Sequence, residues 1–132
     1  MNVDTFIEVA EDSPAFQAEV PPARVGRATK AAIEYELIAG EPYGLTEEEV
    51  AFRTRVVMHD IPEVDWPAER ERFLSQEKPR LRVSALAKRY GWGIHIDSHG
   101  RVALVAVESA EYRRLAADPA LRHVRAFRSK RA

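Results

Sequence analysis

The sequence predicts one α+β domain over residues 1–132, in which a mostly antiparallel sheet with a central hairpin is segregated from a block of helices. Four of the five helical patterns fall together between residues 29 and 90, whereas strand patterns lie at the start of the chain and after residue 92. A length of 132 residues is that of one ordinary domain, and no linker or internal repeat divides it. The predicted order is β-α-α-α-α-β-β-α-β, and such separation of helices from strands is typical of the α+β class.

The first third of the chain holds one strand and one ambiguous segment. Residues 5–10 are β-branched and aromatic, as in a strand, and Glu11–Arg27 contains three prolines, as in a loop. Residues 29–39 fit two interpretations, because their apolar positions alternate as in a strand and also share one face of a helix. Gly40, followed by Pro42, is a typical stop signal and favours the helix.

Two further helices follow. Thr46 with Glu49 three residues later forms a capping box, which predicts a helix over residues 47–58. Pro67 in a first turn predicts a helix over residues 66–75. We expect these helices to pack together, or on the sheet, through Val50, Thr54, Val57, Phe73 and Leu74.

The last third alternates helices and strands. Ser84 is predicted to cap a short helix. Residues 93–107 are predicted to form a hairpin around a type I turn at residues 97–100. The second hairpin strand is apolar on both faces, which predicts a central position in the sheet. Ser109 is predicted to cap a helix, and residues 124–127 form the last predicted strand.

Composition excludes several classes of protein. The chain has no cysteine, so disulfide scaffolds, thiolate metal sites and cysteine nucleophiles are excluded. Asp4, Glu8 and Glu11 interrupt any apolar signal sequence at the start, and the longest apolar run, Val102–Val107, is too short to span a bilayer. We therefore predict a cytoplasmic protein that does not associate with a membrane.

Charge is distributed unevenly along a chain whose net charge is −1. Residues 1–66 carry 14 acidic and 5 basic residues, whereas residues 67–132 carry 7 acidic and 15 basic residues. Such asymmetry is explained either by an anion-binding face or by two halves that complement each other inside one fold.

Three segments together carry a family resemblance. They are Thr5-Phe6-Ile7-Glu8-Val9-Ala10-Glu11-Asp12, Lys88-Arg89-Tyr90-Gly91-Trp92-Gly93-Ile94-His95 and Arg128-Ser129-Lys130-Arg131-Ala132. Over nearly its whole length the chain resembles a family of small bacterial proteins catalogued as a domain of unknown function, number six-one-five-seven. The resemblance implies a bacterial single-domain protein and supplies no catalytic residue.

The hairpin carries a possible metal site. His95 and Asp97 point to the same side of a strand, and His99 lies in the adjoining turn. Three such ligands are able to hold a divalent ion that would activate water for a metal-assisted enzyme. The alternative is the solvated face of a hairpin. No nucleophile elbow, metalloprotease helix or catalytic triad order is present, so the sequence leans against an enzyme and predicts no cofactor.

Cations and aromatic residues cluster in two stretches of the second half. Lys88, Arg89, Tyr90 and Trp92 combine positive charge with stacking faces, and the terminus adds Arg128, Lys130 and Arg131. The structural alternatives are a helix that ends at Gly91 and a flexible, solvated end over residues 128–131.

We predict from this pattern a non-enzymatic binding domain whose basic and aromatic surface holds an anionic ligand or an acidic partner. Contact between that surface and the acidic half of a second copy would instead give a homo-oligomer. If the charges pair internally, the chain has neither a binding surface of this kind nor a reason to form an oligomer.

Overall fold

A computed structural model describes residues 2–22, 29–76 and 80–129 of the chain. Predictions for residues 23–27, Lys78, Lys130 and Arg131 lie outside this range. The helices and strands are β1 (Thr5–Glu8), α1 (Lys30–Gly40), α2 (Glu47–His59), α3 (Trp66–Leu74), α4 (Ala85–Lys88), β2 (Trp92–Ile96), β3 (Val102–Ala106), α5 (Ala110–Ala116) and β4 (Arg122–Arg125), with 3-10 turns at Glu63–Asp65 and Leu81–Val83. In the part of the chain described, no helix combines the length and apolar character needed to cross a membrane.

The four strands form one sheet in the order β3-β2-β1-β4. β2 pairs antiparallel with both β1 and β3, whereas β4 runs parallel to β1. The α+β class, the hairpin and the presence of both terminal strands in its sheet are confirmed. The sheet is mixed, however, because the C-terminal strand adds beside β1 in the parallel direction.

The prediction that the second hairpin strand is central was wrong, because β3 lies at an edge of the sheet. Its apolar character has another cause, which is that helices cover both faces of the sheet. Val102 packs in a cluster with Ile38 of α1, and Val105 packs on the opposite face with Tyr112 of α5. A two-sided apolar strand therefore indicates two covered faces rather than two neighbouring strands.

The ambiguous segment is a helix. The Thr29 hydroxyl caps α1 by accepting from the Ala32 amide at 3.2 Å, and α1 packs against β3 and α2. Gly40 is the last helical residue rather than the one that follows the helix. The helix signal from the stop residues was thus the right one.

The capping prediction for α2 is confirmed, since the Thr46 hydroxyl accepts from the Glu49 amide at 3.2 Å. The Glu49 carboxylate accepts two hydrogen bonds of 2.7 Å from Arg70 of α3, and this hydrogen bonding lowers its pKa. An ion pair thus joins the two helices at the first turn of α2.

The predicted packing of α2 on α3 is only partly right. Val50 and Thr54 are buried, but Val57 is 51% exposed and Leu74 is 40% exposed. The contact with α3 runs instead through Phe73, whose ring lies 6.0 Å from that of Phe52. Phe52 lies on the opposite side of α2 from Val50, so α2 buries two sides while its last turn leaves Val57 open.

Candidate anion-binding site

Cationic side chains collect along the free edge of β4. Arg122 and Arg125 are exposed at the two ends of the strand, and because they are three positions apart their side chains point to opposite faces of the sheet. Phe127 follows them with 39% of its surface exposed. The guanidinium carbon of Arg82 lies 4.6 Å from the centre of the Phe127 ring, and its Nε donates to the Arg125 carbonyl. We call Arg82, Arg122, Arg125 and Phe127 the basic edge.

Backbone pairing explains why Arg82 reaches this strand. The Phe127 amide donates to the Arg82 carbonyl at 3.0 Å, which fixes the turn Leu81–Val83 beside the end of β4. Within the described residues, Arg82, Arg122 and Arg125 form no salt bridge with a carboxylate. Arg125 lies opposite Glu8 in the strand register, and its charge helps to lower the pKa of Glu11, so the charges of Arg82 and Arg122 are the more available to an external anion.

The predicted site residue Arg128 differs, because it is already paired. Its guanidinium donates twice to the Glu11 carboxylate, and this contact lowers the pKa of Glu11. The next amide, of Ser129, donates to the Asp12 carboxylate at 3.1 Å. Arg128 thus attaches the C-terminal segment to the acidic residues after β1, which makes its charge less available than those of the basic edge.

Residues 8–10 contact both the end of α4 and the end of β4. The Ala10 amide donates to the Ala87 carbonyl, and the Ala126 amide donates to the Glu8 carbonyl, both at 2.9 Å. Residues 8–10 therefore lie between the end of α4, where Lys88 and Arg89 lie, and the end of β4. The predicted residues Lys130 and Arg131 lie outside the described residues.

Tyr90 and Trp92 have structural partners. The Trp92 indole donates to the Glu19 carbonyl at 2.8 Å, and its ring lies 5.5 Å from that of Tyr35. The Glu19 amide in turn donates to the Tyr90 carbonyl at 2.8 Å. The aromatic motif holds the N-terminal segment in place, and its role in ligand contact stays a prediction.

The backbone conformation at residue 91 explains why the motif has a glycine there. Its φ is +79°, and a Cβ built there would lie 2.7 Å from the Gln17 carbonyl oxygen. The close approach of Gln17 therefore requires a residue at position 91 that has no side chain and that adopts the left-handed conformation easily.

The hairpin residues His95, Asp97 and His99 are not brought together as ligands. One Asp97 oxygen accepts from the amides of His99 and Arg101, at 2.8 and 2.9 Å, so it closes the turn. His95 Nδ1 lies 2.8 Å from the Tyr43 hydroxyl. The described residues contain no group of three His, Asp or Glu side chains placed to hold a metal ion.

Sequence reasoning missed a cavity of about 260 Å³ between α1, α2, α3 and the turn Leu81–Val83. It is lined by Lys30, Arg55 and Arg80, by the Phe73 ring, and by Glu34, whose side chain is buried. A signal for it was present, because Glu34 falls on the same helical face as the apolar Ala31 and Ile38. A carboxylate on a core face indicates a polar group with a specific task.

Comparison with known proteins gives a family and nothing more specific. The model of the family of unknown function DUF6157 matches residues 1–132. No curated protein matches the chain, and no solved structure matches it.

Proposed function

Since the chain belongs to this family, whose function is unknown, we propose from its own geometry that it is a non-enzymatic interaction domain whose basic edge binds an acidic segment of a partner protein. The observation that carries the proposal is that Arg82, Arg122 and Arg125 lie along one sheet edge and form no salt bridge within the described residues. An acidic segment supplies the missing counter-charges.

The exposed backbone of β4 supports a peptide as the ligand. Arg122 and Ala126 direct their amides toward β1, by donating to the carbonyls of Asp4 and Glu8. Alternation along a strand then turns the amides of His123 and Arg125 outward. The Arg125 carbonyl and the Phe127 amide on this side already pair with Arg82, so an extended segment would gain its backbone hydrogen bonds at His123 and at the Arg125 amide, as well as charge pairing.

The overall charge favours an acidic protein segment over a nucleic acid. Nucleic-acid-binding domains are usually strongly basic, whereas this chain has a net charge of −1. On the proposal, Lys88 and Arg89 extend the surface beyond the basic edge, and Lys130 and Arg131 continue it along the sequence. Arg128 contributes less, because it is paired with Glu11, and Tyr90 and Trp92 are predicted to add aromatic contacts.

The experiment titrates the full chain with a fluorescent oligoglutamate peptide at low and moderate salt. The variant combines Arg82→Gln, Arg122→Gln and Arg125→Gln, and the matched control combines Arg53→Gln, Arg72→Gln and Arg113→Gln, which removes the same charge from other surfaces. We expect the edge variant to lose at least about tenfold in affinity and the control less than about threefold.

Three results would overturn the proposal. One is equal loss in both variants, which would mean that only net charge matters. Another is tighter binding to a single-stranded oligonucleotide of equal charge than to the peptide. The last is a stable dimer in light scattering that ignores both polyanions, since the edge would then pair with a second copy of the chain.

A further inference from the structure

The cavity between α1, α2 and α3 combines an apolar wall with charged groups. The Phe73 ring, Leu81 and Ala51 supply apolar surface, and the cations lie among them. Ligand sites in proteins have this composition, in which apolar walls surround a few placed polar groups. The cavity is separate from the basic edge and shares no residue with it.

Only one of the two carboxylate oxygens of Glu34 makes a hydrogen bond within the described residues. Only 3% of the residue is exposed, and its Oε1 accepts from the Ser84 hydroxyl at 2.7 Å. The other oxygen makes no hydrogen bond within the described residues, and no buried polar atom there lacks a partner. Because Glu34 lines the cavity, Oε2 is the carboxylate oxygen that remains to hydrogen-bond a ligand there. Burial raises the pKa of this carboxyl, despite the opposing effects of Ser84 and Lys30.

Two guanidinium groups converge on one ring in the same cavity. The guanidinium carbon of Arg80 lies 4.3 Å from the centre of the Phe73 ring, and that of Arg55 lies 6.0 Å away. Arg80 donates to the carbonyls of Phe73 and Gln76 and contacts no carboxylate in the described residues. Arg55 approaches Glu69 only at 3.8 Å, so both cations retain donors for a ligand.

We propose that this cavity binds a small, partly apolar organic anion, whose acidic group is held by the two arginines, whose body packs on Phe73, and whose second polar group hydrogen-bonds Glu34. An anion is favoured over a cation because Lys30 and the two arginines outnumber the one carboxylate. A volume of about 260 Å³ restricts the ligand to a single ring or a chain of similar size.

The probe is para-hydroxybenzoate, which carries an acidic group, a ring and a hydroxyl. Its binding to the isotope-labelled full chain is followed by amide chemical shifts, which report where it binds. We expect shifts at Thr54, Phe73 and Leu81. We also expect affinity at least about fivefold above that of para-hydroxybenzamide, which lacks the charge, and of benzoate, which lacks the hydroxyl.

Variants separate the cavity from general charge effects. Arg55→Gln and Arg80→Gln are expected to weaken binding by about tenfold, whereas Arg53→Gln on the same helix leaves it unchanged. Ala51→Leu fills the cavity with a good helix former, so it is expected to abolish binding while the chain stays folded. Shifts confined to the β4 edge, no shifts with any of the three probes at millimolar concentration, or undiminished binding by Ala51→Leu would overturn the proposal.

Discussion

Glu34 and Glu47 are both buried glutamates on the helical side of the sheet, yet their surroundings differ. Both oxygens of Glu47 accept hydrogen bonds of 3.0 Å, one from the Asn2 side chain and one from the Leu81 amide. Glu34 accepts one hydrogen bond, from Ser84, and lines the cavity. The difference teaches that burial alone does not identify a functional acid. A saturated carboxylate, in which both oxygens accept hydrogen bonds from the protein, joins segments of the fold. A carboxylate with an oxygen that makes no such bond can hydrogen-bond a ligand.

The largest expected effect comes from removing the saturated acid. Glu47→Ala leaves the buried Leu81 amide without its acceptor and detaches Asn2, 45 residues away along the chain. We expect the free energy of unfolding to fall by about 3 kcal/mol, measured by equilibrium denaturation in urea. Glu48→Ala is the control, because Glu48 lies in the same first helical turn without being buried. Its expected loss is about 0.5 kcal/mol, and equal losses would remove the distinction between the two glutamates.

A smaller effect is expected from removing the one hydrogen bond that Glu34 receives. Ser84 donates to Glu34 and also caps α4, by accepting from the Leu86 amide at 3.1 Å. We expect Ser84→Ala to cost about 2 kcal/mol in thermal or urea denaturation, and to raise the pKa of Glu34 further.

Ser109→Ala is the matched control for that variant. Ser109 caps α5 in the same way, by accepting from the Tyr112 amide at 3.0 Å, but its hydroxyl donates to a backbone carbonyl rather than to a carboxylate. The difference between the two losses isolates the contact with Glu34. Identical losses would show that Glu34 gains nothing from Ser84.

Local signals in the sequence predicted most of the fold. The capping residues Thr46, Ser84 and Ser109 all accept the hydrogen bonds expected of them, because capping depends on residues only two or three positions apart. The hairpin turn also formed, since the Gly100 amide donates to the Asp97 carbonyl at 3.1 Å. Strand order was less predictable, because the pairing of β4 with β1 joins residues more than 100 positions apart.

The candidate sites were predictable only in part. The sequence indicated that basic residues at the end of the chain gather, but not that Arg82 would reach them by stacking on Phe127. The cavity depends on three helices meeting, so no local pattern revealed that Arg55 and Arg80 converge on Phe73. The charge on the core face of α1 was the one visible signal.

The smallest expected effect is that of Glu34→Gln, and its sign tests the comparison most directly. Burial holds the pKa of Glu34 above its value in the unfolded chain, so the stabilisation that this carboxyl provides is complete below the unfolded-state pKa and is lost as pH rises through the folded-state pKa. Gln keeps the shape and does not titrate. Relative to the wild type, the variant should therefore become more stable as pH rises from 4 to 8. At neutral pH the free energies of unfolding of the two chains should differ by no more than about 1 kcal/mol. Urea denaturation of both chains across this range measures the difference, and Glu36→Gln, at an exposed position on the same helix, should leave the profile unchanged. A loss of several kcal/mol that does not vary with pH would show that Glu34 is a saturated structural acid like Glu47.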